Sequence, residues 1–66
     1  MKITLNGANA ELPDGRTLLD ALNSRDIRLQ GIATAVNDRV IPADRRCDTV
    51  LNDGDKVVII KAFYGG

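Results

Sequence analysis

Sixty-six residues with nine Lys plus Arg, nine Asp plus Glu, one Cys, no His and no Trp leave room for one small domain with a sparing core. The balanced charge, with one Phe and one Tyr, argues against a nucleic-acid surface of either the basic or the base-stacking kind. No zinc site or Ser-His-Asp triad can be assembled from this set, and Val57-Val58-Ile59-Ile60, the longest apolar run, is far short of the ~20 residues of a membrane span.

The composition therefore points away from a self-sufficient enzyme. Cys47 has no partner for a disulfide, and Met1–Asn6 breaks its apolar stretch too early for a signal peptide. A small unstapled domain without an export signal fits the reducing cytosol. Along the chain, Ile3 and Leu5 alternate with Lys2, Thr4 and Asn6, the period-two pattern of a half-buried strand. Asn6-Gly7 predicts a hairpin turn, because both residues tolerate positive φ. Residues 8–12 should return antiparallel with Ala8, Ala10 and Leu12 on one face, ending at Pro13-Asp14-Gly15.

Thr17-Leu18-Leu19-Asp20 reads as a helix start, with Thr17 as N-cap and Asp20 completing a capping box in its weaker Asp form. Leu18, Leu19, Ala21 and Leu22 make the apolar stripe. Asn23-Ser24 weaken the helix, and the stretch to Gly31 is polar and irregular, with Ile27 and Leu29 expected to reach the core. Residues 32–36 form the next strand, 40–41 a short one stopped by Pro42, and 43–46 one helical turn. Asn52-Asp53-Gly54-Asp55 is a turn without the ligand spacing of a calcium loop. Residues 56–62 form a last strand that is apolar on both faces, hence central or covered by a partner. The order gives a two-layer α+β domain, with the helix across one face of the sheet and the last strand beside the first.

The chain ends Phe63-Tyr64-Gly65-Gly66 directly after its most hydrophobic strand. Gly-Gly lacks Cβ atoms and can thread a narrow slot, and a stretched 62–66 segment projects its carboxylate about 17 Å. That carboxylate is anionic at neutral pH and a poor electrophile. A partner must convert it to a mixed anhydride such as an acyl adenylate before a nucleophile attacks. The chain has no phosphate-cradling glycine loop of its own, so ATP would be bound by that partner.

Lys2-Ile3-Thr4-Leu5-Asn6-Gly7, the turn and helix from Gly15 to Leu22, Ala35-Val36-Asn37-Asp38-Arg39-Val40-Ile41-Pro42, Asn52-Asp53-Gly54-Asp55-Lys56-Val57 and the terminal Gly65-Gly66 together resemble the ThiS family of sulfur carriers. The resemblance implies a ubiquitin-like β-grasp fold: a mixed sheet of four to five strands with one main helix, residues 1–62 forming the domain and 63–66 a flexible tail. It implies a carrier that is not itself an enzyme and binds no cofactor. An E1-like enzyme of the ThiF type would adenylate Gly66 with ATP and Mg²⁺. Sulfur from a donor enzyme would give a thiocarboxylate, and a thiazole synthase of the ThiG type would consume it for thiamine. Gly65, Tyr64 and Phe63 would thread the partner's channel, although Phe63-Tyr64 is bulkier than the family's small or aliphatic residues there.

Phe63 and Tyr64 suit either a partner's channel mouth or a place against their own sheet. Val58 and Ile60 should form a partner-docking face if Val57 and Ile59 face the helix. Arg39, Arg45 and Arg46 read as solvated loop residues, and Cys47 as a partly buried small one. A longer MoaD-like carrier for molybdopterin, a TGS-like binding module and a conjugated protein tag are the alternatives. A free end after Gly66 favours a carrier, expected to act as a monomer.

Overall fold

The computed structural model describes residues 1–61, so the domain boundary at 62 and Phe63, Tyr64, Gly65 and Gly66 lie outside the described residues. Five strands form one mixed sheet in the order β2-β1-β5-β3-β4. They are β1 (Lys2–Leu5), β2 (Ala8–Glu11), β3 (Ile32–Val36), β4 (Arg39–Ile41) and β5 (Lys56–Lys61), and one helix, α1 (Leu18–Ser24), joins β2 to β3. The last strand is central, as its two apolar faces require. It runs parallel to β1 through Thr4↔Lys56 and Leu5↔Val57, and antiparallel to β3 from Ile32↔Lys61 to Val36↔Val57.

Two asparagines in left-handed turns tie the hairpins to β5. Asn6 has φ 50° and Asn37 φ 51°, conformations that asparagine adopts more readily than most residues. β1 ends at Leu5, and the Asn6 side chain takes over its pairing: Oδ1 accepts from the Ile59 N–H at 2.7 Å and Nδ2 donates to the Ile59 carbonyl at 3.2 Å. On the other side of β5, Asn37 Oδ1 accepts from the Lys56 N–H at 3.0 Å. The polar groups of the central strand are thus satisfied where its neighbours stop short.

Helix α1 is seven residues long and cannot stand on propensity alone. Its four free N–H groups all find acceptors. Thr17 N–H donates to Asp20 Oδ2, Leu18 N–H to the Thr49 carbonyl, Leu19 N–H to the Arg46 carbonyl and Asp20 N–H to Thr17 Oγ1. The capping box is complete, since the Asp20 carboxylate accepts from the Thr17 N–H at 3.0 Å. That bond is the main reason its carboxyl is held below the ordinary carboxylate range. Partial desolvation opposes the shift, while the Thr17 hydroxyl and Arg16 assist it.

Leu18, Ala21 and Leu22 are buried against Ile3, Leu5, Ala10, Val57 and Leu51. Leu51 is a core residue that local patterning did not single out. Its place comes from the bridge between Thr17 and Val50 and from the bond of its N–H to the Arg16 carbonyl. Leu19 is half-buried, and Ala8 at the turn is exposed. Leu29, expected to reach the core, is exposed at the crest of the loop that follows α1, whereas Ile27 packs against the core.

The segment after β4 also departs from expectation. A single 3-10 turn spans Ala43–Arg45, and the residue that turns inward after it is Arg46, 5% exposed, while Cys47 points out. The reason is hydrogen-bonding demand. Carbonyls of the loop before β3 and of its first residue need donors, and a guanidinium has five where a thiol offers one weak one. Arg46 Nη2 donates to the Ile32 carbonyl at 2.9 Å, Nη1 to the Leu29 carbonyl at 3.2 Å and Nε to Thr34 Oγ1 at 3.3 Å. Arg39 and Arg45 are solvated, as expected.

Candidate functional site

The last strand in the chain, β5, has neighbours on both sides. Its last described residue, Lys61, pairs with Ile32, the first residue of β3. Ile32 is in turn held through its carbonyl by Arg46, so Lys61 is tied through the strand ladder to a residue that a buried guanidinium fixes. On the β1 side the Asn6 amide holds Ile59.

The two faces of β5 are sorted as the alternation implies. Val57 is fully buried and Ile59 packs against the core on the helix side. Val58 and Ile60 point the other way, Val58 half-buried and Ile60 57% exposed. The register places Ala35 beside Val58 and Ala33 beside Ile60, and on the next strand Val40 sits opposite Ala35, 71% exposed. An apolar strip thus crosses β5, β3 and β4 on the open face of the sheet. Toward β1 and β2 the same face carries Lys56, Thr4, Lys2, Asn9 and Glu11 and becomes polar. An apolar strip bordered by charge is the layout of a surface that docks a partner.

Among the described residues no group of three or more His, Cys, Asp or Glu side chains is placed to hold a metal ion. The Asn52–Asp55 segment makes a turn closed by its own bonds, Asn52 N–H to Asp55 Oδ2 at 2.8 Å and Asp55 N–H to the Asn52 carbonyl at 3.1 Å. No described helix is long and apolar enough to cross a membrane.

The model of the ThiS family matches residues 3–66, nearly the whole chain and including Gly65-Gly66. The chain belongs to the ThiS family. Among curated ThiS-family relatives, the sulfur carrier protein ThiS of Escherichia coli is 27% identical over 66 residues, covering all of both chains. The sulfur carrier protein ThiS of Thermus thermophilus is 31% identical over 64 residues, 97% of this chain and 98% of that one. A crystal structure of a thiamine biosynthesis protein (ThiS) from Geobacter metallireducens superposes on the whole of both chains with a TM-score of 0.86 at 20% identity. A solution structure of a thiamine biosynthesis protein from the same organism gives 0.74 at 22% identity, covering all of this chain and 87% of that one. These two likenesses establish the ubiquitin-like β-grasp fold that the ThiS resemblance implied.

Proposed function

We propose that this protein is a sulfur carrier of thiamine biosynthesis, with Gly66 as the cargo site. The observation that supports this most is the family match running through residue 66. In the proposed cycle an oxygen of the Gly66 carboxylate attacks the α-phosphorus of ATP on an E1-like enzyme of the ThiF type, and pyrophosphate leaves. Mg²⁺ and ATP belong to that enzyme. Hydrosulfide delivered by the donor enzyme then attacks the acyl carbon, the bond to the AMP phosphate oxygen breaks, AMP departs, and the thiocarboxylate remains. A thiazole synthase of the ThiG type takes the sulfur for the thiazole ring. The carrier supplies no acid or base, and acts as a co-substrate rather than as an enzyme.

Within this reading Gly65 lets the tail through a slot too narrow for a Cβ, and Tyr64 and Phe63 line up behind it in the partner's channel. The apolar strip through Val58 and Ile60 docks the activating and accepting enzymes in turn. A monomeric cytosolic carrier, with residues 1–62 as a rigid head and 63–66 as the working tail, suits such a shuttle. The deciding experiment is intact-mass spectrometry of the carrier after incubation with a ThiF-type enzyme, ATP and a sulfur donor. A species heavier by the exchange of one oxygen for sulfur is expected, and it should vanish when Gly66 is deleted. Its persistent absence with an active partner enzyme would refute the sulfur role.

A further inference from the structure

Asn6-Gly7 is the one place in the sequence where asparagine precedes glycine, and the pair carries a reactivity of its own. The Gly7 amide nitrogen can attack Asn6 Cγ and close a five-membered succinimide. The Cγ–Nδ2 bond breaks, and ammonia leaves with the proton that the attacking nitrogen gave up. Water then opens the ring at either carbonyl, to aspartate or to isoaspartate. Glycine favours the attack because no Cβ hinders the approach of its nitrogen. Both residues are exposed, so water reaches them.

The fold puts this reactive amide to structural use. Asn6 and Gly7 sit at φ 50° and 83°, the two left-handed positions of a type I′ hairpin turn. β1 stops at Leu5, opposite Val57, and the Asn6 N–H donates to the Val57 carbonyl at 2.9 Å. One step further on, the carboxamide pairs with the backbone of Ile59, Oδ1 with its N–H at 2.7 Å and Nδ2 with its carbonyl at 3.2 Å. Ring closure requires the carboxamide to swing toward Gly7 and Nδ2 to depart, and both bonds oppose it. We propose that Asn6 is a deamidation site that the fold holds closed: the clamp on Ile59 guards the amide, and reaction during an opening of the turn destroys the clamp. An aspartate carboxylate has acceptors only, so an oxygen faces the Ile59 carbonyl where a donor stood. Isoaspartate also lengthens the backbone of the turn by one carbon. Ile59 stands between Val58 and Ile60, so the loss falls on the strand that carries much of the apolar strip. Its consequence for docking rests on the proposed function, whereas the chemistry and its effect on β5 do not.

The full chain, with no partner present, tests it. The folded protein and the same chain in concentrated urea are aged in one buffer, and peptide mapping by mass spectrometry follows the exchange of NH₂ for OH at residue 6. That exchange should be at least about tenfold slower in the folded chain, since it waits for a local opening. Asn6→Gly keeps a left-handed turn and deletes the carboxamide, and Asn6→Asp reproduces one product. In both, amide hydrogen exchange at Ile59 should quicken at least about fivefold, while Lys56, held by Asn37 on the other side of β5, exchanges as before. Far-UV circular dichroism checks that each variant is folded. Equal rates of deamidation in the folded and unfolded chain, or Ile59 exchange unchanged in Asn6→Gly, would each overturn the proposal. The thiocarboxylate test would stand unaffected by either result.

Discussion

Replacing Arg46 tests the reading that a buried cation holds the start of β3 and the loop before it. Its three acceptors are not equally dependent on it. Thr34 Oγ1 keeps its bond to the Ile41 carbonyl, and the Leu29 carbonyl lies in an exposed loop where water can replace the guanidinium. The Ile32 carbonyl, at 2.9 Å from Nη2, is the one that loses most. A bond to a charged donor is worth about 1.5–3 kcal/mol net. Burying the guanidinium has its own desolvation cost, and no carboxylate among the described residues forms a salt bridge with it. With some stem packing lost as well, Arg46→Ala should cost about 2 kcal/mol, which for a domain of this size lowers Tm by about 8–16 °C. Arg46→Met restores the stem and removes the desolvation cost, so it should lose about 1 kcal/mol. Urea titration followed by far-UV circular dichroism measures both, and amide exchange at residues 26–31 should quicken in each variant. An Arg46→Met protein as stable as the parent would refute the reasoning, because the guanidinium bonds would then contribute nothing net.

The remaining perturbations address the cap and the open face. Thr17→Ala removes the N-cap hydroxyl that Asp20 N–H uses and should lower stability by about 1 kcal/mol in the same titration. Asp20 has a depressed carboxyl pKa in the folded state, so its contribution is full above the unfolded value near pH 4 and is lost as pH falls through the lower folded value. The stability gap between the parent and Asp20→Asn should accordingly close toward acid, and a gap independent of pH would contradict this. On the docking strip, Ile60→Asp should weaken binding to a ThiF-type enzyme at least about tenfold while costing about 1 kcal/mol or less in stability, as expected at an exposed strand position. Val58→Asp should cost more stability than Ile60→Asp, because Val58 is half-buried. Calorimetric binding beside urea titration separates the two effects.

What could be read from the residues was what their near neighbours decide. Thr17 and Asp20 cap α1 because the groups they satisfy lie within one helical turn. Asn6-Gly7 turns the chain because both residues accept positive φ. The central place of β5 followed from the lack of a polar face on Val57-Val58-Ile59-Ile60. The misplaced residues are those whose surroundings come from distant segments. Arg46 and Cys47 are adjacent in the chain, and only the demand of the Ile32 and Leu29 carbonyls, more than a dozen residues earlier, decides which turns inward. Leu51 is buried because residues 49–51 lie against the start of α1, a contact with no local period to announce it. Leu29 fails to reach the core for the same reason, since Arg46 holds its carbonyl and leaves its side chain at the crest.

The candidate site divides along the same line. The expectation at Gly65-Gly66 rests on two adjacent residues alone, and they lie outside the described residues. The apolar strip that accompanies it needs the register of three strands before Val40, Ala35 and Val58 become one surface. Two residues of this strip, Val58 and Ile60, lie on β5, the strand nearest in sequence to the proposed cargo residue Gly66. In the proposed cycle a partner seated on this strip would hold the Gly66 carboxylate near its activating site, and so turn their encounter into an intramolecular one.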